Sequence, residues 1–155
     1  MSGKKDHASV KIHPPVLTLI FILIAYVIGR VVVLPVPLPP ILRNIGLGLA
    51  GLGLVFGLLA FREFMKARKT LDPHSSVTTI VSSGIYRFTR NPIYLGFLCM
   101  LIGFPLTFGN FWGFILAPMF IWFMNHLVIE HEEAYLEKKF GEAYTSYKSR
   151  VRRWL

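Results

Sequence analysis

Apolar residues fall in long blocks, separated by short polar or proline-rich breaks. Residues 14–34 form the first block, long enough for a membrane-crossing helix, and Arg30 near its far end can snorkel to the interface. The proline-rich, uncharged segment 35–40 predicts a tight turn. A second block runs from residue 41 to about residue 64. In it Gly46, Ala50, Gly53, Gly57 and Ala60 recur at alternating spacings of four and three, on one stripe. Small residues at that spacing let helix backbones approach closely in lipid, so the stripe is read as packing. Arg62, Glu63, Lys66, Arg68 and Lys69 return the chain to the inner side, and 70–83 reads as a polar loop. Residues 91–129 contain no Lys, Arg, Asp or Glu and are long enough for two more spans, broken around residues 105–110. From Glu130 the pattern is that of a charged helix: Glu132, Leu136 and Phe140 share a face, and Gly141 suits a C-terminal stop. Tyr144, Tyr147 and Val151 then repeat at three and four before Arg152, Arg153 and Trp154, predicting an amphipathic helix on the inner leaflet.

Composition strengthens the membrane reading. The 155 residues are 54% hydrophobic with a mean hydropathy of +0.54, too apolar for an ordinary soluble domain. The expected fold is an all-α, multi-pass transmembrane bundle of four spans. The net charge of +9 does not point to nucleic acid, because Lys and Arg flank the apolar blocks and no recognition motif accompanies them. They follow the positive-inside pattern, with anionic lipid nearby. Both predicted outer breaks are uncharged, so four spans place both termini in the cytoplasm. The compact form suggests a prokaryotic plasma membrane. The first block is too long for a signal-peptide core and lacks a small-residue cleavage site. A single cysteine, Cys99, excludes an internal disulfide, and His7, His13, His74, His126 and His131 lack the spacing of a zinc site, so no metal is expected.

Candidate chemistry concentrates in residues 83–96. Tyr86, Arg90 and Tyr94 are four apart, and Pro92 stands where a helix can begin, since the N–H it lacks has no partner there. A helix start of this kind attracts an anion, a phosphate or a carboxylate. Arg90 lies beside Asn91 and between two tyrosines. Glu132 and Glu133 run against the basic bias of the inner side: one acid can bind a cationic ligand group or ribose hydroxyls, while Glu133 or Glu137 faces water. Asn125 and His126 sit about a turn deeper, where polar side chains face the bundle interior. Helix–helix hydrogen bonding and lining of a substrate pocket are both open for them. No nucleophile–base pair or phosphate-binding glycine loop is present. An enzyme built this way binds a diffusible reactive cofactor and positions an acceptor.

Ser83-Gly84-Ile85-Tyr86, followed by Arg90-Asn91-Pro92-Ile93-Tyr94-Leu95-Gly96, resembles the signature of the isoprenylcysteine carboxyl methyltransferase-like family of integral membrane methyltransferases, relatives of the phospholipid methyltransferases. Glu132-Glu133, Leu136, Phe140-Gly141, Tyr144, Tyr147, Val151 and Trp154 are similar to its C-terminal signature. The resemblance covers roughly residues 70–155, leaving 1–69 as an N-terminal helical hairpin of the same single domain. It implies S-adenosylmethionine (SAM) as methyl donor, bound at a cytoplasmic loop over the inner helix ends. The implied cofactor contacts are Thr78, Thr79, Ile80, Val81, Tyr86, Asn91, Pro92, Ile93, Tyr94 and Glu132. Arg90 is the implied catalytic residue, holding the pocket or orienting the acceptor. The resemblance further implies a lipophilic or small thiol, carboxylate or amine acceptor, entering from the bilayer. Two positions depart from the pattern: Asn91 replaces the usual His, and Val128 stands where prenylcysteine enzymes carry an arginine one turn before the Glu pair. Two rivals stand beside this reading. One is an NADPH-dependent membrane reductase of the sterol-reductase type, whose members carry a similar Arg-His-Pro-x-Tyr and terminal tyrosine pattern. The other is a non-catalytic membrane protein that keeps the fold.

Overall fold

The computed structural model describes residues 12–34, 39–69 and 80–155, and among them every regular element is helical. Helix α1 is Pro14–Val31 and α2 is Pro40–Lys69. A 3₁₀ turn, Gly84–Arg87, leads to α3, Pro92–Thr107. Next, α4 (Trp112–Met124) passes through a π-helical turn (Asn125–Ile129) into α5 (Glu130–Phe140), and α6 is Glu142–Arg150. Among the described residues, three helical stretches are long and apolar enough to cross a membrane: Pro14–Val31, Pro40–Ala67 and Trp112–Phe140. Helix α3 is apolar but has 16 residues, about 24 Å at 1.5 Å per residue.

The glycine stripe foreseen on α2 makes the tightest helix pairing. A side-chain carbon on Gly53 would lie 2.6 Å from the Gly96 carbonyl of α3, and one on Gly46 would lie 2.6 Å from the Thr107 nitrogen. From the other side, Gly103 faces the Gly46 carbonyl and the Ala50 nitrogen just as closely. No residue with a Cβ fits at these crossings, so the two backbones touch.

The remaining core is built where α1 crosses α3 and α4. Leu17, Phe21 and Ala25 of α1 pack with Phe120, Met124, Val128 and Ile129, and the Phe21 and Phe120 rings meet edge to face at 5.4 Å. Side chains also bridge the far end: Trp112 Nε1 donates to the Val32 carbonyl and Asn110 Nδ2 to the Ala25 carbonyl, both at 2.9 Å. At the opposite end the π turn adds a residue to the helix. It rotates α5 by about one position relative to an uninterrupted α-helix, a device frequent at functional sites.

The tail departs from expectation. Helix α6 forms where an amphipathic helix was foreseen, but Tyr144 and Tyr147 are 3% and 5% exposed and pack inward, against the first turn of α3 and the 3₁₀ turn. Their hydroxyl-bearing rings find partners inside the protein, which a lipid leaflet would not supply.

Candidate active site

The entrance to α3 is fixed from three sides. Gly84 has φ of +57°, a conformation that calls for glycine, and a Cβ there would lie 2.7 Å from the carboxyl carbon of the Glu63 side chain. Ser83 Oγ donates to Glu63 Oε2 at 2.7 Å, hooking the loop to α2. Pro92 occupies the first turn of α3, as foreseen, with Asn91 at the cap position. The Asn91 side chain makes no capping bond; its Nδ2 donates instead to the Arg153 carbonyl at 2.9 Å. The first N–H groups of α3 therefore have no side-chain cap.

Beneath this entrance lies a cavity of about 330 Å³, at the small end of the range for small-molecule sites. Ile80, Val81, Tyr86, Arg90, Asn91, Pro92, Ile93, Tyr94 and Glu132 all line it, so the structure gathers those sequence candidates into one site. Thr78 and Thr79 lie outside the described residues. Asn125 and His126 do not line the cavity. Asn125 Oδ1 accepts the Trp154 indole N–H at 3.0 Å, and His126 Nδ1 meets Glu130 Oε2 at 3.0 Å on an exposed face. Sequence reasoning did not place Phe64, Glu133, Leu136, Phe140, Tyr144 and Tyr147 among the site residues, yet they complete the wall. The signal for most of them was the shared α5 face and the tyrosine repeat.

The two adjacent glutamates have separate tasks. Glu132 accepts the Tyr94 hydroxyl at 2.8 Å, joining α3 to α5 at the cavity wall. Glu133, expected as one of two candidates to face water, is instead buried, its side chain 7% exposed. Burial is possible because cations surround it: Arg153 donates to both its oxygens at 3.1 and 2.8 Å, Arg90 Nη1 lies 3.2 Å away and Lys148 Nζ 3.7 Å. A buried carboxylate without such partners would be strongly destabilising.

Tyrosines close the remaining side. Tyr147 Oη donates to the Tyr86 carbonyl at 2.7 Å. Burial, reinforced by the Glu132 charge, pushes the Tyr86 phenol up to about 12. Burial likewise raises Tyr144 and Tyr147; Glu133 adds to the effect at Tyr144 while Arg90 opposes it. All three remain neutral hydrogen-bonding groups at physiological pH. Among the described residues no group of three or more His, Cys, Asp or Glu is arranged to hold a metal ion.

The family model for phospholipid methyltransferase matches residues 42–143, from the start of α2 through the cavity wall on α5. This chain belongs to that family. Its relatives include the protein-S-isoprenylcysteine O-methyltransferase of Schizosaccharomyces pombe, 36% identical over 106 residues, covering 61% of this chain and 45% of that protein. The protein of the same name from Saccharomyces cerevisiae is 30% identical over 92 residues, covering 59% and 36%. An uncharacterised protein of Haemophilus influenzae is 43% identical over 63 residues, 41% of this chain and all of its own length. The matches thus span less than half the length of these two methyltransferases. No solved structure gives a significant match to the chain.

Proposed function

We propose that the chain is a SAM-dependent integral membrane methyltransferase acting on a lipophilic or small thiol, carboxylate or amine acceptor. The observation that carries this reading is the cavity: it sets a helix start without a side-chain cap beside a hydrogen-bonded carboxylate, within walls that are mostly apolar. Those are the groups that SAM calls for. N–H donors at the start of α3 favour its carboxylate. Glu132, held by Tyr94, suits its ammonium or ribose hydroxyls. The rings of Tyr86, Phe140 and Tyr144 suit its adenine and its positive sulfonium.

When bound, SAM supplies a methyl group on a sulfonium, open to in-line displacement. The chain's own task is then alignment and exclusion of water, since no side chain need carry a proton at that centre. Arg90 orients the acceptor from the cavity wall. Val128 is fully buried in the core, so its position offers an acceptor no cation. This favours a lipophilic nucleophile other than a prenylcysteine carboxylate.

In the proposed topology α3 completes a fourth span, despite its length, and both termini are cytoplasmic. The 3₁₀ turn and α6 lie at the inner face of a prokaryotic plasma membrane. The uncharged character of the 105–110 break supports this orientation.

The test is calorimetric titration of the detergent-purified full chain with SAM and, separately, with NADPH. Saturable SAM binding without NADPH binding is expected. NADPH binding alone would replace this reading with the reductase, and no binding by folded protein would leave the non-catalytic one.

A further inference from the structure

The last residues of the chain tie three parts of the site together. After α6 the backbone turns extended at Val151, with φ −121° and ψ 131°. The Arg152 carbonyl accepts the Arg90 N–H at 3.0 Å. The Arg153 carbonyl accepts from Thr89 Oγ1 at 3.2 Å and from Asn91 Nδ2 at 2.9 Å. Trp154 reaches the π turn through Asn125. Residues 151–154 thus form a strap across the start of α3, the π turn and α5.

The strap has a consequence for Arg90. Its side chain is 8% exposed, and its Nη1 lies 3.2 Å from Glu133 Oε1 without the alignment of a hydrogen bond. Both Nε and Nη1 are buried with no hydrogen-bond partner. An arginine and a carboxylate this close would ordinarily form a two-bonded fork. Here the fork is already made with Arg153, whose Nε and Nη2 take the two Glu133 oxygens. Lys148 is no substitute, because its ammonium is a point charge and already meets Glu137 at 2.6 Å.

We propose that Arg153 is a positioning residue: by occupying the Glu133 carboxylate, the C-terminal strap keeps the Arg90 guanidinium out of a fork with Glu133 and holds it at the cavity wall. This rests on the reading of the cavity as a ligand site. Without Arg153, Glu133 is released to fork with Arg90 and draws the guanidinium away from the acceptor.

The experiment monitors the arginine side-chain N–H signals of the full chain by NMR in detergent micelles, using isotope-labelled arginine. Arg90 is assigned by the loss of its signal in Arg90→Lys. In Arg153→Ala the Arg90 Nε–H signal is expected to shift to a hydrogen-bonded position and exchange more slowly with water. Arg153→Lys, which keeps the charge without the fork, should give an intermediate position. The calorimetric Kd for SAM should stay within about threefold of wild type in both variants. An unmoved Arg90 signal in folded Arg153→Ala would overturn the proposal. So would parallel loss of SAM binding and of spectral dispersion in both variants, the mark of a purely structural role. If Arg153→Ala does not fold, Arg153→Lys decides by the same signal. Failure of wild type to bind SAM would instead strike the cofactor reading, and the Arg90 signal would still report on the strap.

Discussion

Tyr94 and Glu132, 38 positions apart in the chain, share a hydrogen bond of 2.8 Å that joins the first turn of α3 to α5. The phenol donates and the carboxylate accepts, leaving the other carboxylate oxygen to serve a ligand. The bond also fixes the rotamer of Glu132, so a ligand cation or hydroxyl meets an oriented acceptor and little ordering cost remains on binding.

Glu132→Ala is accordingly expected to weaken SAM binding by about 10- to 100-fold, the worth of a hydrogen bond to a charged group. Tyr94→Phe should weaken it less, because it loosens the acid without removing it. Calorimetric Kd values of the two variants check the order. Unchanged affinity in Glu132→Ala would remove this residue from the cofactor site.

Arg90→Ala separates chemistry from topology. Arg90 lines the cavity, and its buried Nε and Nη1 have no hydrogen-bond partner in the protein. Turnover with an active acceptor should therefore fall by about 100-fold, as a misplaced reactant would cause, while membrane insertion is retained. Loss of insertion with unchanged specific activity would assign Arg90 to topology alone.

The helical layout was largely legible in the sequence. Pro92 opens α3 as its fixed φ suggests, Gly141 ends α5 with φ of +52°, and the α2 stripe meets glycines on α3. Most of the cavity wall was legible too, because it comes from contiguous residues 80–94 and from one face of α5. Glu133 was not. Helical period puts it about 100° from Glu132, which on an isolated helix means solvent; Arg90 and the return of Arg153 and Lys148 from the tail make burial tolerable. The π turn left no mark for the same kind of reason, since Leu127, Val128 and Ile129 are apolar and carry no breaker or period to betray an extra residue.

The buried phenols make stability depend on pH. Tyr86 ionises at about 12 in the folded protein against 10.0 for the free group. Its pKa is raised on folding, so its contribution to stability is complete below pH 10 and is lost as pH rises towards 12. Near-ultraviolet absorbance of the folded protein should show a tyrosine fraction still protonated past the ordinary phenol range. Tyr86→Phe should reduce that late fraction, and a titration unchanged from free tyrosine would contradict the burial of this ring.

Gly103→Ala tests the α2–α3 crossing. The added methyl would sit 2.6 Å from the Gly46 carbonyl, and backbone on both sides leaves nothing flexible to yield. Overpacking of this kind costs about 1–3 kcal/mol. Gly48→Ala is the control: nothing lies within 4 Å of its Cβ position, and alanine in a helix is favoured over glycine by about 0.5–1 kcal/mol. Thermal unfolding in detergent should therefore move down for Gly103→Ala and stay level or rise for Gly48→Ala.

Topology is decided by α3, the apolar helix that falls short of the three membrane-length stretches. Helix α3 spans about 24 Å against a hydrocarbon core of about 30 Å, and Pro105 in its last turn frees a carbonyl near that end. Its apolar composition and its glycine-tight pairing with α2 still favour a full crossing, because a helix locked to a membrane-spanning partner shares that partner's depth. Four crossings return the chain to the side where it began. Reporter fusions at both termini should then read cytoplasmic, and a fusion at Asn110 should read external. Opposite readings at the two termini would make α3 a re-entrant helix, leaving three crossings and moving the cavity relative to the cytoplasm.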